Sequence, residues 1–279
     1  MKIDVYAVVT AKIVEQLEQG IIPWEKPWTG TQSGAISGAT GRAYSLLNQM
    51  LLGRPGVYFT FNQVKERGGS VRRGEKSQTV VFWKQIPVKE QNENGETVER
   101  LVPVLKYYNV FHFDQCTGLK PIEQAPTAEP PEIRNGEDVI SQYQNREGII
   151  IEYVRGDEAC YSPSRDRITL PLREQFKSAE EYYSTAFHEM THSTGHAKRL
   201  NRLKSTAHFG NEEYSREELV AEIGAAALMN HTGAETTKSF RNSAAYIQSW
   251  LKALRNDNRM IVQASGQAAR AVDFILGIE

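Results

Sequence analysis

At 279 residues, with 40% hydrophobic and 24% charged residues, the chain has the make-up of an ordinary globular protein rather than a disordered or collagen-like one, and it is long enough for two domains. The formal net charge of -1 is unevenly spread: residues 1–120 hold 15 Lys and Arg against 11 Asp and Glu, and residues 121–138 hold 1 against 5, so any nucleic-acid contact belongs to the N-terminal part. Cys116 and Cys160 are the only cysteines and form no CxxC pair, which argues against a disulfide framework or a thiolate zinc site. The start, Met1-Lys2-Ile3-Asp4, lacks the apolar core of a signal peptide, and no stretch approaches the roughly 18 apolar residues of a membrane span; the expectation is a cytoplasmic protein that does not enter a membrane.

Ile3, Tyr6, Val9, Ile13 and Leu17 form one helical stripe, with Asp4 as N-cap and Gly20 where a helix stop belongs. A loop follows over residues 29–41, then a short helix from Leu46 to Leu52. Strands are expected at residues 57–61, 79–83 and 105–113, with Asn94-Gly95 at a hairpin tip spanning residues 91–100. Between the first two strands, residues 62–76 carry five basic residues and three glycines, among them Lys65, Arg67, Arg72, Arg73 and Lys76. Trp24, Trp28, Tyr44, Trp83, Tyr107 and Tyr108 supply flat rings nearby, and Arg42 and Lys84 further positive charge. Cations that track phosphates and aromatics that stack on bases are the requirements of sequence-tolerant single-strand binding. The DNA-contact candidates are therefore Trp24, Trp28, Arg42, Tyr44, Lys65, Arg67, Arg72, Arg73, Lys76 and Lys84. Taken singly, such aromatics are more often core, and a mixed charge run is more often a solvated loop.

Four prolines among acidic and small residues mark an interdomain linker at residues 121–138. The expected fold is α+β in two domains: residues 1–120, then, after the linker, a mostly helical domain over residues 139–279 with a small sheet. Short strands are expected at residues 148–153, 159–161 and 167–170.

His188-Glu189-Met190-Thr191-His192 matches H-E-x-x-H. In a helix, residues four apart stand one turn above each other, so two imidazoles can grip one ion while the intervening glutamate serves as general base for a metal-activated water. Ser178-Ala179-Glu180-Glu181 reads as a capping box and Gly195 as a stop, which frames the motif in a helix. A third ligand is needed. His196 is a poor source, because a continuous helix puts it about 12 Å from His188 along the axis, and its spacing does not fit the longer motif in which a third histidine returns to the metal. The helix expected to start near Ser215 offers Glu218 and Glu222 on one face; Glu218 is favoured as ligand, with Glu222 as its alternative or as an orienting partner behind a histidine. Ser215-x-x-Glu218 also reads as a capping box, which explains that glutamate without a metal.

The runs Tyr161 to Pro171, His188 to His196, Arg199 to Arg202 and Glu217 to Ala227 resemble the peptidase domain of ArdC-type antirestriction proteins, which conjugative plasmids and related mobile elements encode. Residues 4–28, Gly41 to Asn48 and Tyr107 to Phe111 resemble the N-terminal domain of that family. The resemblance implies a zincin fold of the glutamate-ligand kind with residues 167–170 as a strand beside the cleft, a zinc-dependent peptidase site, and an N-terminal domain that binds single-stranded DNA; the residues leave open Mn2+ or Co2+ in place of Zn2+ and double-stranded DNA as a further partner. It also implies a role in protecting incoming DNA from restriction. Two other readings stay open from the residues: an intracellular regulatory zinc protease whose N-terminal domain selects a protein substrate, and a DNA-binding protein whose metal site is only structural.

Overall fold

A computed structural model describes residues 3–24, 34–91, 97–120, 136–203, 212–233 and 244–278. Helix α1 (Val5–Glu18) begins on Asp4, whose carboxylate accepts the backbone N–H groups of Tyr6 and Ala7, partnering donors that a first helical turn leaves without intrahelical acceptors. It buries Val9, Ile13 and Leu17, while Ile3 stays exposed. Next come β1 (Ala35–Ser37), α2 (Leu46–Leu52), β2 (Gly56–Thr60), α3 (Phe61–Glu66), β3 (Ser70–Val71), β4 (Gln78–Gln91), β5 (Thr97–His112) and β6 (Cys116–Thr117). The main N-terminal sheet has the order β1-β2-β5-β4, and β3 pairs with β6 apart from it.

The basic run expected as one loop is thus interrupted by α3 and β3: Lys65 stands in the helix, while Arg67, Arg72, Arg73 and Lys76 lie in the turns that follow the two elements. Thr60 accepts from the Gln63 backbone and Gln63 answers in a complete capping box, which turns the chain into α3 directly after β2. The β4–β5 ribbon is also longer than expected. Ladder pairs run from Gln78–Val110 to Gln91–Thr97, so much of residues 91–100 is strand; Asn94-Gly95 lies outside the described residues. Ile86 opposite Val102 and Lys84 opposite Val104 are cross-strand pairs with a branched partner that favour the ladder, and the outer part of the ribbon is exposed along most of its length. Two buried amides in α2 close strand edges. Asn48 both accepts from the Val81 N–H and donates to its carbonyl, and Gln49 does the same for Ala35, so edge groups are satisfied without another strand.

The C-terminal part contains α4 (Gly136–Glu147), β7 (Ile150–Val154), β8 (Cys160–Ser162), β9 (Arg167–Pro171), α5 (Ala179–Ser193), α6 (Glu212–Thr232), α7 (Ala244–Asn256) and α8 (Met260–Leu276). Residues 136–138, at the end of the expected linker, are the first turn of α4. The sheet order is β7-β9-β8. Residues 167–170 therefore lie in the central strand, flanked on both sides, and among the described residues β8 is the edge strand packed against α5.

Helix α6 joins two apolar cores. Leu219, Val220 and Ile223 belong to one cluster with α7 and α8, which also takes in Val9, Ile13 and Leu17 of α1 and Leu105, α1 meeting it through α7 and α8. Ala225, Leu228 and Met229 pack with Phe187 and Met190 of α5 and with Ile168 and Leu170 of β9. The N-terminal helix is thus part of the scaffold under α6, and a division at the linker does not divide the hydrophobic core. No described helix is long and apolar enough to cross a membrane.

Candidate metal centre and nucleic-acid face

Helix α5 is capped by Ser178, whose hydroxyl accepts the Glu181 N–H, while the Glu181 carboxylate accepts the N–H of Lys177; the reciprocal half of the expected box falls one residue earlier. The helix buries His188 and Glu189. Its axis comes close to α6 at one place: a Cβ added to Gly224 would lie 2.7 Å from the Thr191 methyl carbon. A larger residue there would push against the Thr191 side chain, and the close approach brings the carboxylates of α6 within reach of the imidazoles of α5.

The two histidine Nε2 atoms lie 3.0 Å apart. Glu218 faces both, with one oxygen 3.6 Å from His188 Nε2 and the other 3.4 Å from His192 Nε2. The Nδ1 atoms point away to separate carboxylates: Glu222 lies 3.3 Å from that of His188, and Glu217 3.1 Å from that of His192. Because α6 begins at Glu212, Ser215 is inside the helix and cannot cap it, so the competing explanation for Glu218 is removed. Sequence patterns do not single out Glu217, Arg202 or Asp166. Glu217 is adjacent to Glu218 and so on a different helical face, and only the tertiary packing shows that it reaches His192.

The donor set fits a small divalent ion. If each Nδ1–H donates to its carboxylate, two Nε2 lone pairs face each other at 3.0 Å, which is repulsive unless a proton or a cation lies between them. Ligands held about 2.0–2.2 Å from a tetrahedral ion lie roughly 3.3–3.6 Å from one another, and the two histidine–Glu218 separations are of that size. The electrostatics agree. Burial lowers the His192 pKa, but hydrogen bonds to Glu217 and Glu218 override it and push it up to about 10. Burial raises the Glu218 carboxyl, and the two histidines outweigh that and hold it below its ordinary range. Among the described residues, His188, His192 and Glu218 are the group whose ligand atoms lie close enough together for one metal.

A cavity of about 680 Å3 opens over this cluster, lined by Glu189, His192, Glu218, Tyr161 and Tyr214 and by Ala159 and Cys160 along β8. A second, of about 330 Å3, lies on the His188 and Glu222 side and meets the first at Ala159, the residue before β8. His196 lines the first cavity, with Nδ1 3.8 Å from Asp166. The Cys160 thiol is pushed up by burial and then by the Glu189 charge, which places that carboxylate close to the strand.

The DNA-contact candidates differ in burial and in the partners they meet. Trp24 is a correction: it is 2% exposed and packs edge-on against Trp250 with ring centroids 5.1 Å apart, so no base can reach its face. Trp28 lies outside the described residues. Arg67 donates to the Gly38 carbonyl and covers the Phe59 ring, Arg72 pairs with Glu75, and Lys65 sits over Phe61. Arg42, Arg73, Lys76 and Lys84 are exposed. Tyr44 is half-buried beside Phe82, with centroids 6.0 Å apart, and Phe82 in turn meets Tyr108 at 5.8 Å. Phe82 is 45% and Tyr108 42% exposed. Ladder register sets Lys106 opposite Phe82, and the two-residue alternation of strands places Lys84 on the same face.

Known proteins match both parts of the chain. Residues 3–111 fit the family model of the N-terminal domain of anti-restriction factor ArdC, and residues 139–267 that of a zincin-like metallopeptidase. The metal-free crystal structure of the antirestriction ArdC protein from plasmid R388 is 36% identical, with a TM-score of 0.75 over 99% of this chain and 98% of that one. The Mn(II)-bound structure of that protein gives 35% and 0.76 over the same shares. A DNA primase TraC of Escherichia coli is 34% identical over 98% of this chain, which spans only 20% of the primase. Similarity along nearly the full length of both chains, with one family model on each side of residues 112–138, places this protein in the ArdC antirestriction family, as an α+β chain that joins an ArdC N-terminal domain to a zincin-like metallopeptidase domain.

Proposed function

We propose that this protein binds single-stranded DNA and carries a zinc-dependent peptidase site, the two serving to protect entering DNA from restriction. The observation that carries the peptidase half is the convergence of His188 Nε2, His192 Nε2 and Glu218 on one point at the floor of a cavity. These three residues hold the metal, and Glu222 and Glu217 fix the two imidazoles from behind. The chemistry a divalent cation supplies there is Lewis acidity, which acidifies a water and polarises a carbonyl. Glu189, buried next to His188 and lining the cavity, takes the water's proton and passes it to the leaving amine. The outer edge of β8 pairs with an extended substrate backbone, which lays the scissile bond over the cluster. Zinc suits two imidazoles and a carboxylate, and the Mn(II) bound by the R388 relative supports a site that also takes other divalent ions.

The DNA half rests on the β4–β5 face. Phe82 and Tyr108 present exposed rings, Tyr44 buttresses Phe82, and Lys84 and Lys106 flank them, so bases can stack while phosphates meet ammonium groups. One purified sample tests both halves. Metal analysis is expected to give one zinc per chain, lost in His188→Ala, and a labelled single-stranded oligonucleotide is expected to bind with an affinity that falls steeply with salt. Zinc retained in full by His188→Ala removes the peptidase half; no oligonucleotide binding at low salt removes the other.

A further inference from the structure

The geometry points to Arg202 and Glu217 as a positioning pair that locks His192 in the tautomer and orientation a metal requires, which makes the turn after α5 part of the metal site although it never touches the ion. The inference rests on the metal-site reading above.

Arg202 is 7% exposed and spends its guanidinium on two elements. Nε lies 2.8 Å from one Glu217 oxygen and Nη2 2.8 Å from the other, while Nη1 donates to the Thr194 hydroxyl at 2.7 Å and Nη2 also to the Thr191 carbonyl. One side chain thus ties the C-terminal turn of α5 to the first half of α6. The backbone is bent to deliver it: Asn201 has φ +49°, and the N–H groups of Arg202 and Leu203 both donate to the Gly195 carbonyl. Gly195 leaves the room, since a Cβ there would lie 2.7 Å from Leu203 and 3.2 Å from Arg202.

A planar fork engages both oxygens of a carboxylate at once. Held that way, Glu217 keeps lone-pair capacity on Oε1 for the Nδ1–H of His192, 3.1 Å away, and its charge is neutralised from the side opposite the imidazole. Nδ1 is thereby fixed as the protonated nitrogen, so Nε2 is the one with a free lone pair, facing His188 and Glu218. Without the arginine, Glu217 would be a further carboxylate beside Glu218 and Glu222, free to turn toward the ion itself. Among the described residues, no arginine grips Glu222 behind His188 in this way.

The test is zinc titration of the full chain by calorimetry or chelator competition, comparing the parent protein with Glu217→Gln, Arg202→Lys and His188→Ala. A parent protein that binds no zinc, or a His188→Ala protein that binds it as tightly, sinks the metal-site reading itself. With that reading intact, Glu217→Gln is expected to weaken zinc about 10- to 100-fold while the metal-free protein, though less stable for the loss of the Arg202 ion pair, remains folded at the temperature of the titration. Arg202→Lys, which keeps the charge but not the fork, is expected to weaken it by a smaller factor. The visible bands of cobalt-loaded Glu217→Gln are expected to shift from the parent's, a change that a merely structural role does not produce. Zinc affinity within about twofold of the parent, with unshifted cobalt bands, overturns the proposal; if Glu217→Gln does not fold, the same criterion applied to Arg202→Lys decides it.

Discussion

The metal cluster and the β4–β5 face stand in opposite relations to solvent. At the cluster, each imidazole is held by a carboxylate from another helix, Glu222 for His188 and Glu217 for His192, and Arg202 neutralises the second of these. On the ribbon, Phe82 and Tyr108 remain open and touch mainly each other and Tyr44. A polar cluster out of water has one arrangement that satisfies its members, so it selects an ion of defined size and charge. An exposed face of rings and ammonium groups imposes no register, and it suits a polymer whose bases all offer a flat surface. On the proposed function one molecule combines a strict site with a tolerant one, and the core shared by α1, α6, α7 and α8 lies between them.

The comparison breaks first at Glu189. Changing it to Gln keeps size and hydrogen bonding but removes the base, so hydrolysis of a susceptible peptide should fall by about 10^2- to 10^4-fold, with zinc content and oligonucleotide affinity unchanged. Full peptide hydrolysis by that variant would place the base elsewhere.

Trp24 sharpens it next. Because the ring is buried against Trp250, Trp24→Ala should lower the free energy of unfolding by about 3–5 kcal/mol, measured by denaturant titration, and leave the DNA affinity of the folded protein intact. The opposite pattern, normal stability with lost DNA binding, would return Trp24 to the contact face.

Phe82→Ala and Tyr108→Ala probe the tolerant site directly. Each should cost about 1–3 kcal/mol of single-strand binding, read by fluorescence anisotropy, while zinc stoichiometry stays at the parent value. If both bind as the parent does, the stacking surface lies on another face of the ribbon, where Trp83 is also exposed.

The smallest effect is expected at Gly224. Alanine gains helix propensity, but its Cβ would press on the buried Thr191, and overpacking of about 1–3 kcal/mol outweighs a propensity gain of about 1 kcal/mol at most. A net loss near 1 kcal/mol, accompanied by weaker zinc binding, is the expected result; a stabilised variant with parental zinc affinity would mean that the α5–α6 spacing is not what sets the site.

Much of the strict site is legible in the order of residues, and little of the tolerant one is. His188, Glu189 and His192 stand out because their relation is one turn of one helix. Glu218 is legible only as one of two candidates, since Ser215 imitates an N-cap and nothing local shows that α6 has already begun at Glu212. Glu217 carries no local signal, because its partner His192 lies on another element. In the N-terminal part, basic residues close in sequence become separate local contacts, with Arg67 on Phe59 and Arg72 on Glu75, and a tryptophan next to a loop becomes core. The length of the ribbon is hidden because its outer part mixes polar side chains, prolines and exposed apolar residues such as Val88 and Leu101, with no clean two-residue alternation to mark a strand.

By itself, the sequence determined the helical frame of the H-E-x-x-H motif, the short strands before it, the opening helix with its Asp4 cap and the family to which both halves belong. The elements depend on periodicity, capping and turn chemistry, which act over a few residues, and the family on resemblance along whole runs of residues. Only the tertiary structure decided which glutamate faces both imidazoles, which stand behind them, where Arg202 reaches, that β8 rather than β9 borders the cavity, and that Trp24 is closed to solvent while Phe82 is open. Those outcomes depend on which distant surfaces meet, and they are fixed when α6 is packed between two cores at the spacing that Gly224 permits.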